Sequence, residues 1–296
     1  MDQIHSFGVV AFKQSDQVTK VLAQLQHWAE NYRLSMVFHP GLTTQLPEGA
    51  YRAESEKELI DKSNALISVG GDGTFLAVAH MSRFTKKPII GINLGGLGFL
   101  TDIDPDKLEE YLNRIIKGQY STISRMVVKA RVIRDGEIIH TFHALNDIFV
   151  NRYKTAKLTT VSAWYGDDFI TDFRADGLIL ATPSGSTAYS LAAGGPIVEH
   201  SLRAFLLTPI CPHSLTERPL VLPSDKPIRL VITGNNPDVL LSADGLQSTT
   251  LQSNDQVLIS YEGDQTCLLQ LAEISYFELL RRKLDWGSNK RYSGDR

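Results

Sequence analysis

The sequence has few cysteines, no long apolar run and no excess of positive charge, and each deficit excludes a class of protein. Two cysteines among 296 residues are too few for a disulfide framework or a structural zinc site. No apolar run approaches the roughly 20 residues that a helix needs to span a bilayer. The formal net charge of −3 gives no sign of a basic face for nucleic acid. Because the N-terminus also lacks a signal-peptide pattern, we expect a cytoplasmic protein with no membrane or nucleic-acid partner.

Two kinds of sequence follow each other along the chain. Residues 1–118 alternate apolar, β-branched segments with segments of helical periodicity, which predicts a doubly wound parallel α/β domain. The short strand-like segments that follow predict an antiparallel all-β domain, sandwich-like or barrel-like. A last helix, opened by a capping box at Ser275 and Glu278, is expected to return to the first domain. We predict an α/β phosphate-binding domain from residues 1–120 and 265–296 and an all-β domain from residues 121–264.

A glycine-rich turn after a buried strand is the centre of the predicted site. The apolar run 66–69 leads into Gly70-Gly71-Asp72-Gly73-Thr74, and a helical segment follows. Glycines let the backbone approach a ligand, and the free N–H groups at a helix start bind anions. A carboxylate is poorly suited to hold phosphate. Asp72 is therefore predicted to accept a proton from an attacking hydroxyl, or to help hold a divalent cation between phosphates, and both roles indicate phosphoryl transfer.

A second glycine turn, formed by Gly95, Gly96 and Gly98, follows the next buried strand. Both turns are expected at the carboxyl edge of the sheet, where ligands bind in such folds. One turn of this kind is as easily a plain tight turn, but two at one edge favour a phosphate-bearing ligand. Neither turn matches a Walker loop or the Gly-x-Gly-x-x-Gly dinucleotide fingerprint.

Polar residues also interrupt the apolar strands of the second half. Asn146 and Asp147 break an apolar segment, and they either cap a strand end or contact a ribose or base. Arg174 and Asp176 share a face if they lie on one strand, as a surface salt bridge or as part of a ligand site.

A hydroxyl-rich loop over residues 182–190 leads into a predicted short helix at residues 186–193. Hydroxyls and N–H groups together suit phosphate or ribose, although an ordinary helix N-cap uses the same residue types. The basic run Arg281-Arg282-Lys283, by contrast, is predicted to be a solvated face.

Taken in order, these motifs resemble those of bacterial NAD kinase, in the ATP-NAD kinase family. The resemblance spans roughly residues 60–250 and is carried by residues 70–74, 93–101, 176–196 and 212–219. The Gly-Gly-Asp-Gly-Thr motif alone is shared with diacylglycerol and sphingosine kinases, whereas the Thr-Pro-Ser-Gly-Ser-Thr-Ala-Tyr-Ser segment is far more specific. Two details depart from the family pattern: Asp147 stands where Glu is frequent, and Ser184 where Thr is commoner.

The resemblance implies phosphoryl transfer from ATP to the 2′-hydroxyl of the adenosine ribose of NAD, giving NADP and ADP. It also implies a divalent cation, Mg²⁺ or Mn²⁺, an NAD-binding role for the all-β domain, and assembly as a homodimer or homotetramer. By motif position Asp72 is the general base. The residues it assigns to NAD are Asp72, Gly73, Asn146, Asp147, Lys157, Arg174, Asp176, Thr187, Ala188, Tyr189, Ser190, Leu191, Ala192 and Gln247.

Two other functions remain open at this point. A lipid kinase of the diacylglycerol type shares the first motif but requires an apolar pocket. A non-catalytic dinucleotide sensor would keep the pocket without turnover, and the presence of Asp72 argues against it.

Overall fold

The computed structural model describes residues 4–95, 98–101, 103–153, 158–233, 239–271 and 275–285. The chain divides into two compact units. The first runs up to Ser82, resumes over Lys87–Ile123 and takes up the chain again from Cys267, whereas the second comprises Arg83–Lys86 and Ser124–Thr266. Within the described part of the chain, no helix combines the length and the apolar character needed to cross a membrane.

The first unit contains a parallel sheet. Its strands are β1 (Ser6–Val10), β2 (Ser35–Phe38), β3 (Tyr51–Arg52), β4 (Ala65–Gly70) and β5 (Pro88–Asn93). The spatial order is β5-β4-β1-β2-β3, and all four pairings are parallel. After β1 the next strand, β2, lies on one side of the β1-β4 pair, whereas after β4 the next strand, β5, lies on the other side. The strand order therefore reverses between β1 and β4. Ligands of doubly wound sheets bind at the carboxyl ends of strands beside such a reversal.

The second unit contains two sheets whose described pairings are antiparallel. Their strands are β6 (Ser121–Arg134), β7 (Glu137–Ala144), β8 (Asp147–Arg152), β9 (Thr159–Tyr165), β10 (Asp168–Ala175), β11 (Gly177–Ala181), β12 (Ala204–Ile210), β13 (Leu220–Pro223), β14 (Ile228–Thr233), β15 (Val239–Ala243), β16 (Gln247–Leu251) and β17 (Gln256–Gln270). One sheet joins β10, β9, β14, β17, β6 and β7, and the other has the order β13-β12-β11-β8-β15-β16. The end of β17 belongs to the first unit, where Cys267 and Leu268 pair in parallel with β5.

The helices are α1 (Asp16–Asn31), α2 (Glu56–Asp61), α3 (Asp72–Met81), α4 (Leu108–Ile116), α5 (Tyr189–Ala192) and α6 (Tyr276–Leu284). The last helix begins with the N-cap bond of the predicted capping box, in which the Ser275 hydroxyl accepts the backbone N–H of Glu278. The short helix predicted at residues 186–193 is instead a 3₁₀ turn, Ser184–Thr187, followed by the single turn of α5. The non-helical backbone of Ala188, with φ −102° and ψ −129°, separates the two.

Each unit has its own hydrophobic core. In the first unit every residue of β1 and β4 is buried, which is why both strands read as continuous apolar runs. In the second unit the core lies between the two sheets and takes residues such as Val150 and Phe205 from one sheet and Val161 and Leu230 from the other. The predicted combination of a parallel α/β fold and an antiparallel sandwich is therefore confirmed.

Candidate active site

The turn after β4 presents Asp72 at the start of a helix. Gly71 is the N-cap of α3 and Asp72 is its first residue, so the carboxylate lies at the positive end of the helix dipole. Gly70 has a φ of +156°, and a Cβ there would overlap the Thr74 side chain. Gly73 is exposed in the first turn. The glycines therefore permit a tight connection that leaves the backbone beside Asp72 accessible.

The loop after β5 folds back onto Asp72. The backbone N–H of Phe99 donates to Asp72 Oδ2 at 3.0 Å, and the N–H of Leu100 donates to Oδ1 at 3.1 Å. The Thr101 hydroxyl lies 3.3 Å from Oδ1. A Cβ at Gly98 would overlap the Asp72 carboxylate, so only glycine allows this approach. The structure thus brings the two predicted glycine turns together on one carboxylate.

A lysine from the C-terminal helix completes the surroundings of Asp72. Lys283 Nζ lies 3.2 Å from Asp72 Oδ2 and 4.3 Å from the centroid of the Phe99 ring. The basic run is exposed, as the sequence predicts, but the pairing of Lys283 with Asp72 was not predicted. The Lys283 side chain keeps 29% of its exposure while its ammonium group pairs with Asp72.

The second unit fixes the Asn146-Asp147 turn through a carboxylate. Asp244 Oδ2 accepts the backbone N–H of Leu145 at 2.7 Å, and Oδ1 accepts those of Asn146 at 2.8 Å and Asp147 at 3.0 Å. The Asp244 N–H in turn donates to the Asp147 carbonyl at 2.9 Å. Three consecutive amides held by one side chain leave this turn little freedom.

The same turn is clamped from the loop after β11. The Thr182 hydroxyl donates to the Leu145 carbonyl at 2.5 Å, and the Thr182 N–H donates to the Asn146 carbonyl at 2.8 Å. A Cβ at Gly185 would overlap the Asn146 backbone. Asn146 Oδ1 is buried and has no hydrogen-bond partner among the described residues. A rigid turn therefore carries a carboxamide oxygen with unused acceptor capacity.

The two carboxyl groups at this turn have perturbed proton affinities. Desolvation, and then the nearby charge of Asp244, raise the pKa of Asp147 to about 7. Desolvation raises the pKa of Asp244 to about 6, although its three backbone donors act in the opposite direction. At neutral pH the Asp147 carboxyl is present in both protonation states, so it can donate to or accept from a ligand hydroxyl.

Comparison with known proteins shows the family. The ATP-NAD kinase N-terminal domain matches residues 7–120, and the ATP-NAD kinase C-terminal domain matches residues 145–268. The chain belongs to the ATP-NAD kinase family. An NAD kinase of Caldanaerobacter subterraneus subsp. tengcongensis is 41% identical over 227 residues, 77% of this chain and 80% of the relative. An NAD kinase of Trichlorobacter lovleyi is 37% identical over 268 residues, 90% of this chain and 93% of the relative.

Solved structures agree with this membership of the ATP-NAD kinase family. Yeast NADH kinase complexed with NADH matches with a TM-score of 0.90 and 27% identity, over 99% of this chain and 90% of that one. An NAD kinase from Archaeoglobus fulgidus in complex with ATP matches with a TM-score of 0.71 and 25% identity, over 95% and 96% of the two chains. The enzyme is thus a phosphotransferase with NAD kinase activity, and nothing in these comparisons favours a lipid kinase or a sensor.

The hydroxyl-rich segment of this ATP-NAD kinase contributes both surface and support. Tyr189 is partly exposed and packs edge-on against Phe149, with ring centroids 5.3 Å apart. Ser190, by contrast, is fully buried and shares a hydrogen bond with Thr208 at 2.9 Å, so its hydroxyl supports the fold. The Thr187 hydroxyl donates to the Ser184 carbonyl at 3.3 Å. The remaining predicted members, Ala188, Leu191 and Ala192, are partly or fully exposed along this segment.

The other predicted residues of this family member are more scattered. Arg174 is exposed near the end of β10, whereas Asp176 lies between β10 and β11 and pairs with Arg152 at 3.0 Å. Gln247 is exposed at the start of β16. Lys157 and Gly96 lie outside the described residues. Asp176 therefore has an ion-pair partner that the spacing of Arg174 and Asp176 did not indicate.

A cavity of about 400 Å³ lies at the carboxyl end of β5, beside the second glycine turn. Its lining includes Asn93 and Gly95, together with the carboxylates Asp104 and Asp106. Asp104 Oδ1 already accepts the N–H of Asp106 at 3.0 Å, as a cap of the short 3₁₀ turn Pro105–Lys107. The two carboxylates in its lining make this cavity unfavourable for a phosphate.

Two residues of this ATP-NAD kinase site were missed by sequence reasoning. Asp244 carries a local signal, an Asp-Gly turn between two strands, but its hydrogen bonds join positions about 100 residues apart in the chain. Lys283 is 211 residues from Asp72 and carries no motif.

Proposed function

We propose that this enzyme transfers the terminal phosphoryl group of ATP to the 2′-hydroxyl of the adenosine ribose of NAD, with Asp72 as the general base. The observation that carries the proposal is the Asp72 carboxylate, held at the start of α3 between two glycine turns. The structural relatives complexed with NADH and with ATP support these two nucleotides as substrates.

In this reaction Asp72 accepts the proton of the ribose hydroxyl as the oxygen attacks the terminal phosphorus of ATP. A new bond forms between the ribose oxygen and phosphorus, while the bond between phosphorus and the bridging oxygen breaks and leaves its electron pair on ADP. Such transfers depend on positioning and charge neutralisation more than on covalent chemistry. The turns Gly70-Gly71-Asp72-Gly73-Thr74 and Gly95-Gly96-Leu97-Gly98 would supply backbone N–H groups to the phosphates.

The second unit is the proposed NAD-binding domain. Asn146 Oδ1 would accept a donor of the adenosine moiety, because it is buried without a partner. Asp147 would contact a ribose hydroxyl, since its raised pKa lets it act as donor or acceptor. Further proposed contacts are Gly73, Lys157, Arg174, Asp176, Thr187, Ala188, Tyr189, Ser190, Leu191, Ala192 and Gln247.

The divalent cation, Mg²⁺ or Mn²⁺, would enter as part of the ATP substrate. Among the described residues no group of three His, Cys, Asp or Glu side chains is placed to hold a metal ion. Magnesium commonly binds through substrate phosphates with only one or two protein carboxylates, so the donor set of this chain fits a nucleotide-borne ion. We also propose that the enzyme is cytoplasmic and forms a homodimer or homotetramer. Light scattering of the purified protein would test the number of subunits.

The first prediction concerns Asp72. Asp72→Asn keeps the size of the side chain but removes the base, and we expect NADP formation to fall roughly 10²–10⁴-fold. NAD binding, measured by calorimetry, is expected to remain. Asp16→Asn is the matched control, because Asp16 is also the first residue of a helix but is exposed.

Two outcomes would overturn the proposal. Near-normal turnover of Asp72→Asn would show that Asp72 is not the general base. Phosphorylation of diacylglycerol but not of NAD by the parent enzyme would reject the substrate.

A further inference from the structure

The Asp72 carboxylate receives more hydrogen bonds than a base ready for its substrate would. Phe99 N–H and Lys283 Nζ both approach Oδ2, at 3.0 and 3.2 Å. Leu100 N–H and the Thr101 hydroxyl both approach Oδ1, at 3.1 and 3.3 Å. Four donors on two oxygens occupy most of the acceptor capacity of a carboxylate. A substrate hydroxyl must therefore compete with these donors for Asp72.

The four donors differ in their freedom to leave. The N–H groups of Phe99 and Leu100 belong to the backbone of the loop, so they move only if the loop rearranges. Thr101 is fully buried and has a short side chain. Lys283 instead reaches Asp72 with a flexible four-carbon stem. It is the donor that can withdraw without disturbing the loop.

The Phe99 ring keeps the ammonium group at this position. Lys283 Nζ lies 4.3 Å from the ring centroid, within the range of a cation–π contact. This contact does not depend on Asp72 as the anion. The ring therefore gives the ammonium group a second contact that does not require the carboxylate.

The triphosphate of ATP is an anion that could replace the Asp72 carboxylate as the partner of Lys283. A carboxylate next to a phosphate is repulsive unless a cation lies between them, and Lys is a usual point-charge partner of phosphates. Lys283 is the cation paired with Asp72 in the described part of the chain. As an ion pair alone it would add little to folding, because both side chains retain 29% of their exposure.

We propose that Lys283 is a phosphate-binding residue for the donor nucleotide: it pairs with Asp72 in the ligand-free enzyme and moves to a phosphate oxygen when ATP binds. The exchange frees Asp72 Oδ2 for the ribose hydroxyl and neutralises charge on the donor. This inference rests on the proposed function, in which Asp72 is the base and ATP the donor.

Lys283→Met tests the inference, with Lys283→Arg and Arg281→Met as comparison variants. Methionine keeps an unbranched side chain and favours helix but has no charge. We expect Lys283→Met to raise the KM for ATP at least tenfold, with the KM for NAD within twofold of the parent value. Lys283→Arg should recover most of the loss. Arg281→Met, which removes one charge from an exposed position of the same helix, should match the parent.

Binding of ATP without NAD, measured by calorimetry, gives a readout that does not need turnover. Lys283→Met is expected to bind ATP at least tenfold more weakly than the parent. An unchanged ATP affinity, or a lowered melting temperature with unchanged kinetics, would show that the contact only anchors α6 and would overturn the inference. If the parent makes no NADP, the proposed function fails, while the calorimetric comparison still decides the role of Lys283.

Discussion

At the scale of single residues, two aspartates of this enzyme sit in opposite surroundings. Asp72 accepts the backbone N–H groups of Phe99 and Leu100 and pairs with Lys283. Asp147 is buried beside a second carboxyl group, and its pKa rises to about 7. A carboxyl that changes its protonation state near neutrality suits recognition of a hydroxyl, because it can donate or accept a hydrogen bond.

The raised pKa of Asp147 makes a prediction about stability. An unfolded Asp titrates near 4, so between about pH 4 and 7 the native state binds one proton more than the unfolded state. Stability from this group is thus present below about pH 4 and lost as the pH rises to 7. Asp147→Asn cannot titrate. We expect it to be more stable than the parent at pH 7.5, by on the order of 3 kcal/mol, with the difference shrinking towards pH 4.5.

Urea unfolding at several pH values between 4.5 and 7.5 measures this difference. Asp168→Asn serves as the control, because it makes the same substitution at a largely exposed side chain of the same unit. If the free energy of unfolding changed with pH equally in Asp147→Asn and in the parent, the raised pKa of Asp147 would be contradicted.

At the scale of elements, the strands and helices follow from local patterns, but the contacts that complete the site do not. The run of apolar side chains at residues 66–69 predicts a buried strand, and the spacing of Ser275 and Glu278 predicts the start of a helix. The bond of Asp244 to the Asn146 amide and that of Lys283 to Asp72 join distant positions, and no local propensity encodes them. The sequence therefore predicts the glycine turns but not the contacts that Asp244 makes with the Asn146 turn or that Lys283 makes with Asp72.

Asp244 offers a prediction at this scale, because it ties the turn between β15 and β16 to the turn before β8. Asp244→Asn replaces one acceptor oxygen by an NH₂ group, which would face backbone donors. A buried donor left unpaired costs about 1–3 kcal/mol. We expect a loss of stability of that order and a raised KM for NAD with a smaller change in kcat.

Denaturant unfolding and steady-state kinetics of Asp244→Asn measure the two effects. An unchanged KM for NAD in a destabilised variant would show that the turn keeps its geometry without the clamp. Asp264→Asn is a comparison within the same unit, because Asp264 accepts from side chains, Arg203 and Tyr261, and from no backbone amide among its described contacts.

At the scale of the whole molecule, the two units divide the chemistry. The first unit carries the glycine turns, the base and the lysine, all of which act on phosphate or on a proton. The second carries a rigid turn with an unpaired amide oxygen and a carboxyl that titrates near neutrality, which suit a nucleoside. Each unit has its own core, so a substitution in one is expected to leave the fold of the other unchanged.

This division predicts that the two Michaelis constants respond to different substitutions. Asn146→Ala removes an oxygen that makes no hydrogen bond to any residue that the structure describes, so we expect little loss of stability. The KM for NAD should rise about tenfold, the cost of one lost hydrogen bond. The KM for ATP should stay within twofold. In the double variant with Lys283→Met, the two effects should multiply, because the two side chains share no partner among the described contacts. Asn31→Ala, at the exposed end of α1, is the control. A raised KM for ATP in Asn146→Ala would contradict the division between the units.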